Sequence, residues 1–546
     1  MPSKLLRILQ SIDLKSIDDL FLLLGIRLGK FGLALTWGGV LAVALLNVTG
    51  CKRDVVLEEP FNSVALDGIE PAAVGDVMAF CGACHVPPSP ATYPKDHWAI
   101  EVRRGFQFYQ DYDHKDKLPF PPNELQVVKY YVENAPEHLA ISKPDQVESK
   151  PRVRFRREVV EPSSSKAKPA VAHLLAGRDG LLVSDMISGE IEELHFGDAM
   201  IDRKLVAKVK AATHALRVDL FGVGRKGVLV GDIGNPTPED HDLGGVYFFQ
   251  DPPQVSNVEP VELLTSIGRV ADVSTADFNG DGMLDIVVAE FGYLESGSLH
   301  LLLRNDDHDS PGFNHQVIDE RHGTSHVFCR DIDEDGDVDL ICLRSQEYEN
   351  VEVFLNDGSG DFQMEAVYSG PVPDYGCSCI DVGDIDGDGD LDIALSNGDS
   401  MDSFLLKAHH GVQWLENVSE ESEGIRFQHH RIADLVGAYG VSLGDIDGDG
   451  DVDLAACSMT WDGAEINTLA WFEQVDEKQF VKHTLELSID QHACLEVADL
   501  DGDGDLDLAV GEFDQFVELG TWVTIWWNEG ASGADVSDQV AGLATE

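Results

Sequence analysis

The chain has 546 residues, enough for two or more domains, and 43% of them are hydrophobic, which is ample for a buried core. Its 98 acidic residues far outnumber its 39 basic ones, so the formal net charge is −59. This charge argues against nucleic acid and anionic lipid headgroups as partners, because both are themselves negatively charged.

The first 50 residues are predicted to be an export leader. Residues 31–48, FGLALTWGGVLAVALLNV, are uncharged and follow Arg27 and Lys30, as in a signal peptide. The segment ends in VTGC, which resembles a bacterial lipobox and implies lipidation of Cys51 as the mature N-terminus. The alternative is an uncleaved anchor, because a segment of this length barely spans a bilayer. Both interpretations place the remaining chain outside the cytoplasm, at a bacterial membrane facing the periplasm or the cell surface.

The next motif is FCGACH, residues 80–85, which has the pattern C-x-x-C-H. The thiols of Cys81 and Cys84 can add to the vinyl groups of haem, and His85 then reaches the iron as proximal ligand. A redox-active pair or half of a zinc site is the alternative, but the sequence has no second C-x-x-C to complete a zinc site. A helical pattern closed by proline follows at 121–136.

The order of a helix, the C-x-x-C-H motif, a variable loop and a second helix resembles a small class I cytochrome c. The corresponding domain is assigned to residues 51–145. The resemblance implies a small all-α domain with covalent haem c. This segment departs from the family at the sixth iron ligand, which is usually a methionine, because no methionine lies between Met78 and Met186. His114 is predicted to substitute for it, and His97 or an open iron are the alternatives.

Residues 146–170 are predicted to be a linker that contains one strand of the following domain. Its segment FRREVV, 155–160, has a phenylalanine followed five positions later by an aliphatic residue. The fourth strands of the later repeats share this pattern, and the last repeat lacks a fourth strand. Segment 155–160 is therefore predicted to close the ring, which removes open sheet edges; a plain linker is the alternative.

Acidic loops recur in the second half of the chain and are the strongest sequence signal. They read DFNGDGMLD, DIDEDGDVD, DIDGDGDLD, DIDGDGDVD and DLDGDGDLD, and each leads into an apolar run. Alternate side chains of a tight loop point inward together, which suits a hard cation such as calcium. An EF-hand is excluded because position twelve is not glutamate and the following run reads as a strand. The predicted ligands at positions one, three, five and nine are Asp277, Asn279, Asp281, Asp285, Asp331, Asp333, Asp335, Asp339, Asp384, Asp386, Asp388, Asp392, Asp445, Asp447, Asp449, Asp453, Asp499, Asp501, Asp503 and Asp507.

These loops resemble the FG-GAP (VCBS-type) repeats of integrin-alpha-like β-propellers, which hold calcium between the first two strands of a blade. Two degenerate repeats precede them, at 170–185 and 213–230, and Asp219 keeps only the first loop position of the second one. Two degenerate and five intact repeats predict a mainly β fold, a seven-bladed propeller over 171–530 with about five calcium ions. The tail 531–546 is predicted to be disordered.

In a propeller the first strands line a central channel. His173, His214, His326 and His492 lie near the starts of four first strands, where they could bind a metal or a substrate if all point inward. Satisfied structural histidines are the alternative, because the sequence assigns them no orienting carboxylate. Recurring tryptophans on third strands are predicted to be packing residues rather than a sugar-binding platform. The six repeat cysteines could form disulfides in an exported protein, but most of them lie in predicted strands, where buried free thiols are expected.

Three functions are compatible with these features. The first is a lipid-anchored, extracytoplasmic c-type cytochrome for electron transfer, with the propeller as docking or substrate-binding surface for a redox partner. The second is a cell-surface adhesion or glycan-binding propeller with an accessory haem. The third is a propeller dehydrogenase, an oxidoreductase that passes electrons to its own haem. Fold-level analogy cannot separate them.

Overall fold

The computed structural model describes residues 66–83, 86–111, 117–147, 152–162, 168–178, 180–197, 200–250, 260–305, 312–401, 403–420, 424–460, 464–476, 478–513 and 521–531. The leader, Cys51 and the tail 532–546 lie outside the described residues. Among the described residues, no helix combines the length and apolar character needed to cross a membrane.

The segment before the sheets is helical. Its helices are α1 (Val74–Cys81), α2 (Trp98–Asp111) and α3 (Glu124–Asn134). The side chain of Asn123 caps α3 by accepting a hydrogen bond from the Gln126 amide at 3.3 Å. Buried residues of all three helices form one apolar cluster, in which the rings of Trp98 and Tyr131 stack at 3.9 Å. The helix predicted at 121–136 is thus present, slightly shorter than its pattern.

Seven antiparallel sheets of four strands each confirm the predicted seven-bladed propeller. The first strand in the chain is β1 (Val153–Val160). Sheet one comprises β2 (Val171–Gly177), β3 (Gly180–Asp185), β4 (Glu190–Gly197) and β5 (Met200–Lys208). Sheet two comprises β6 (Ala212–Val218), β7 (Gly227–Asp232), β8 (Gly244–Gln250) and β9 (Val261–Ile267). Sheet three comprises β10 (Val270–Ala276), β11 (Asp285–Glu290), β12 (Ser298–Asn305) and β13 (Gly312–Asp319).

The remaining sheets repeat this order. Sheet four comprises β14 (Thr324–Arg330), β15 (Asp339–Arg344), β16 (Asn350–Asn356) and β17 (Phe362–Ser369). Sheet five comprises β18 (Cys377–Gly383), β19 (Asp392–Asn397), β20 (Gly411–Asn417) and β21 (Phe427–Asp434). Sheet six comprises β22 (Ala438–Gly444), β23 (Asp453–Ser458), β24 (Ile466–Asp476) and β25 (Gln479–Ser488). Sheet seven comprises β26 (His492–Ala498), β27 (Asp507–Glu512), β28 (Val523–Ala531) and β1.

Burial follows the position of a strand in its sheet. Every residue of β19, a second strand, is buried, whereas β17, a fourth strand, is largely half-buried or exposed. The apolar clusters join neighbouring sheets, as when Ile341 and Val353 of sheet four pack with Ile380 and Ile393 of sheet five. The first strands of successive sheets contact one another around the ring. The core therefore lies between the sheets, and the first strands surround the channel.

Sheet seven joins the two ends of the propeller. Strand β1 pairs antiparallel with β28, from Val160 opposite Val523 to Val153 opposite Ala531. Val160 is 5% exposed and packs in a cluster with Val171 of sheet one. The segment of the linker that has the fourth-strand pattern is thus the outer strand of the last sheet.

The helical segment is attached to sheets five and six. Lys407, in the loop after β19, lies 2.6 Å from the Asp374 carboxylate and places its ammonium 5.1 Å from the ring centre of Tyr93. The linker is held at β24, where Asn467 exchanges two hydrogen bonds with the backbone of Asp145, at 2.8 and 3.0 Å. These contacts fix the helices against the propeller.

A buried ion-pair network lies at the start of β26. His492 is 1% exposed, and its two ring nitrogens lie 3.3 Å from Glu486 and 3.2 Å from Glu512. Although burial alone would lower the pKa of His492, the hydrogen bonds that it donates to the Glu486 and Glu512 carboxylates, with their negative charges, raise it to about 10. The imidazolium is therefore the form that the folded protein stabilises.

Substituting the closing strand should test how far the ring depends on it. Val160→Asp places a carboxylate in the apolar cluster and should lower the free energy of unfolding by about 3 kcal/mol or more. The neighbouring Val159 is 39% exposed, so Val159→Asp is the matched control and should stay close to the native value. Thermal melts in excess calcium measure both; equal melting temperatures for the two variants would contradict the proposed closure role.

His492 predicts a pH-dependent stability. Its folded pKa exceeds the usual value of about 6.5, so its contribution is complete below pH 6.5 and is lost as the pH rises through about 10. His492→Gln should lower the free energy of unfolding by about 3 kcal/mol at pH 6, and by less at pH 10. Denaturant titrations at both pH values measure this, with the exposed His138→Gln as control; a difference that does not change with pH would disprove it.

Candidate functional site

The acidic loops connect the first and second strands of sheets three to seven. The glycine at position six of each loop has a positive φ, for example 106° at Gly389 and 102° at Gly450. A side chain there would be strained, which explains why the loop places glycine between its aspartates. In sheets three to six the position-one carboxylate accepts a hydrogen bond from the amide of this glycine, as Asp384 does from Gly389 at 3.1 Å. These local hydrogen bonds define the conformation of the loop independently of a bound ion.

A buried aspartate at position nine anchors each loop to its sheet. Asp392 accepts hydrogen bonds from the amide of Ile385 in the loop, at 3.0 Å, and from that of Asn417 on the third strand, at 2.7 Å. Burial raises the pKa of Asp392 and of Asp453 to about 7. The same pair of hydrogen bonds recurs at Asp285, Asp339, Asp453 and Asp507.

Four of the five loops bring three carboxylates together. Within each group, one oxygen from each residue lies within 4.8 Å of the others, and the residues are those at positions one, three and nine. The groups are Asp331, Asp333 and Asp339; Asp384, Asp386 and Asp392; Asp445, Asp447 and Asp453; and Asp499, Asp501 and Asp507. One carboxylate oxygen each of Asp331, Asp386 and Asp445 is buried without a hydrogen-bond donor among the described residues. Such oxygens fit a hard divalent cation, which takes several oxygen ligands.

The position-five carboxylates are placed differently. Those of Asp335, Asp388, Asp449 and Asp503 accept the backbone amide of position seven at 2.9–3.1 Å and lie outside the three-carboxylate groups. In the first loop Asn279 stands at position three, and its side chain and that of Asp277 both accept the Asp281 amide at 3.1 Å. This loop therefore offers fewer negative charges than the others.

One acidic loop also contacts a positively charged side chain of the protein. The guanidinium of Arg152 lies 3.0 Å from Asp447 and 3.3 Å from Asp449, and it contacts Glu473 as well. The residue just before β1 thus balances part of the charge of the loop in sheet six. No local pattern predicts this contact, because Arg152 and Asp449 are 297 residues apart in the sequence.

The degenerate repeat of sheet two lacks the buried position-nine aspartate that anchors the other loops. Asp219 still accepts the amides of Val223 and Gly224, at 3.1 and 2.7 Å. Position nine is Gly227, where a Cβ would come within 2.4 Å of the Phe248 ring. Because that ring occupies the space of the missing carboxylate, the loop lacks its buried anionic ligand.

The C-x-x-C-H motif is described only in part. Cys81 is the last residue of α1, half-buried beside the Tyr131 hydroxyl, and burial raises the pKa of its thiol. Cys84, His85 and His114 lie outside the described residues. The alternative iron ligand His97 hydrogen-bonds Glu101 at 2.9 Å and stacks on Tyr93.

The four histidines predicted near the channel do not form one site. His492 is the first residue of β26 and is held in its ion pairs with Glu486 and Glu512, so for this residue the structural alternative to a channel site is correct. His173, His214 and His326 each occupy position three of a first strand. The rings of His173 and His214 stack at 3.8 Å, and His214 contacts Asp272, the orienting carboxylate that the sequence did not reveal.

The prediction for the tryptophans is confirmed, because Trp414 and Trp471 are each 1% exposed and lie in clusters between sheets. The prediction for the cysteines is confirmed in part. All six repeat cysteines are free thiols, but only Cys342, Cys377 and Cys457 are buried, whereas Cys329, Cys379 and Cys494 are half-buried.

Comparison with known proteins supports the repeat assignment. The model of the FG-GAP-like repeat matches residues 331–395, which span the acidic loops of sheets four and five. No curated protein matches the chain. Among solved structures, the chain is similar to one in "Crystal structure of BBS1N in complex with ARL6DN, soaked with lead", with 10% identity, a TM-score of 0.39, and coverage of 68% of this chain and 96% of that one. The chain thus carries an FG-GAP-like repeat within a seven-bladed β-propeller.

Proposed function

We propose that the chain is an extracytoplasmic electron-transfer protein, lipid-anchored through Cys51, in which a calcium-loaded propeller is the docking or substrate-binding surface for a haem-bearing helical segment. The observation that carries the haem assignment is the position of Cys81. It ends a helix whose buried face packs with α3, and the remainder of the C-x-x-C-H motif follows directly in the sequence.

The surface of the helical segment suits a covalent apolar group. Large apolar side chains are exposed on it: Phe120 is 92% exposed, Val86 50% and Phe108 44%. Cys81 and Cys84 would hold the haem and His85 would bind its iron, which supplies single-electron transfer. The contacts of Lys407 and Asn467 support a fixed orientation of this segment on the propeller.

Calcium would stabilise the propeller rather than take part in the redox step. Three carboxylates within 4.8 Å repel one another when ionised, and a divalent cation removes that repulsion. The loops of sheets four to seven have this arrangement, and the loop of sheet three replaces one carboxylate by Asn279. We therefore propose about five calcium ions, one at each loop, with the weakest binding in sheet three.

Removing one loop ligand should remove one ion. Asp386→Asn deletes a carboxylate from the group in sheet five, so the variant should bind one calcium fewer and melt at a lower temperature than native protein. Asp390→Asn is the matched control, because the Asp390 carboxylate is outside that group. Metal analysis after dialysis and thermal melts with and without chelator measure the effect, since ions bound only to the folded state stabilise it. One ion or none in the native protein would refute the calcium proposal.

The haem proposal predicts a visible spectrum that depends on the two thiols. Cys81→Ala with Cys84→Ala should leave no haem after acid–acetone extraction, whereas the propeller control Cys329→Ala should retain it. With His114 as sixth ligand, the oxidised iron should be low-spin without the weak near-infrared band of a methionine ligand. A native protein without haem absorption would refute the electron-transfer function, and haem reduction by added sugars or alcohols would favour the dehydrogenase.

A further inference from the structure

The connection between sheets six and seven carries a cluster of ionisable side chains. Glu486 lies near the end of β25, Asp490 lies in the connection, and His492 begins β26. One oxygen of each carboxylate and one ring nitrogen of His492 lie within 4.8 Å of one another. Four other groups of the described residues converge in this way, and all four belong to acidic loops and lack an imidazole. This cluster therefore combines nitrogen and oxygen ligands at one place.

The contact between His492 and Glu486 has the separation of two ligands of one ion. Nε2 of His492 lies 3.3 Å from the Glu486 carboxylate. Two atoms that bind zinc tetrahedrally, each about 2.1 Å from the ion, are roughly 3.4 Å apart. Glu486 is 9% exposed, whereas Asp490 is half-buried. Asp490 therefore marks the side from which an ion can enter.

Glu512, the last residue of β27, fixes the imidazole from its other side. One oxygen of Glu512 accepts the Gln491 amide at 3.1 Å, and the other lies 3.2 Å from Nδ1 of His492. Both side chains are 1% exposed, and among the described residues Nδ1 and this second oxygen have no other hydrogen-bond partner. A carboxylate at Nδ1 orients the ring and leaves Nε2 to act as the ligand. Sheet seven thus supplies a ligand together with the residue that positions it.

The cluster has more negative charge than the neighbouring protein cations balance. Three carboxylates surround the imidazolium of His492, and the guanidinium of Arg157, which is 37% exposed, lies 3.7 Å from Glu486. Burial raises the pKa of Asp490, and the charges of Glu512 and Glu486 raise it further. A divalent cation that displaces the Nε2 proton replaces one positive charge by two, which reduces the repulsion between the carboxylates.

We propose that Glu486, Asp490 and His492 bind a divalent transition-metal ion between sheets six and seven, with Glu512 as the positioning residue behind His492. One imidazole and two carboxylates suit zinc, whereas calcium takes oxygen ligands. Three protein ligands leave a fourth position for water. The ion would join β25 of sheet six to β26 of the sheet that closes the ring. This site shares no residue with the acidic loops or the haem motif.

Zinc is the probe for this site. Tag-free full-length protein is dialysed against Zn²⁺ with calcium in large excess, and bound zinc is measured by elemental analysis. The native protein should retain one zinc ion per chain. His492→Gln and Asp490→Asn should each raise the Kd for zinc at least 10-fold, and Glu512→Gln about 10- to 100-fold. His483→Gln is the matched control, because His483 is buried against Glu473 at 2.8 Å but lies outside the convergent group, and this variant should bind zinc as the native protein does.

X-ray absorption at the zinc edge provides a readout that does not depend on the variants. Zinc-loaded native protein should show a shell of nitrogen and oxygen with the scattering of a single imidazole. Sulfur in that shell, a native protein that retains no zinc, or full zinc occupancy in His492→Gln would each overturn the proposal. If His492→Gln does not fold, the half-buried Asp490→Asn decides, and native zinc affinity in that variant would overturn the proposal. Weaker binding by Glu512→Gln with an unchanged single-imidazole shell would support its positioning role.

Discussion

In sheets three to seven, a single buried carboxylate joins the acidic loop to the third strand. Asp392 accepts one amide from the loop and one from Asn417, and so holds three chain segments at one point. Burial raises its pKa, so its charge is costly unless a cation balances it. The Asp392 carboxylate therefore both holds the loop in its conformation and favours the binding of a cation there. Where glycine replaces it, at Gly227, the strand order persists but the acidic cluster does not.

Most of the propeller could be predicted from local sequence, because each blade repeats the same strand and loop signals. The seven sheets and the packing role of Trp414 follow from periodicity alone. The closing strand could be found from the single pattern shared by Phe155 and Val160 with the later fourth strands. Arg152 could not be found in this way, since nothing near it in the sequence indicates that it reaches the loop of sheet six.

The contacts of the histidines near the channel could not be predicted from sequence motifs. His492 and His173 both stand near the start of a first strand, yet His492 is at position one and His173 at position three. Because of that difference of two positions, His492 lies in a buried ion pair, whereas His173 stacks on the ring of His214. Asp272 gave no signal as a partner of His214, because the two residues meet only when neighbouring sheets pack. Aligning the first strands by position would have shown that His173, His214 and Asp272 each occupy the third position of neighbouring strands.

The first strands separate two kinds of ligand along their length. Imidazoles such as those of His214 and His326 lie near the start of a first strand. In sheets three to seven the first strand ends in an acidic loop, where carboxylates such as that of Asp384 converge. Hard oxygen ligands and borderline nitrogen ligands select different cations. Because the strand holds the two ends apart, a calcium ion at the loop would offset the repulsion between the carboxylates without contacting the imidazoles at the other end.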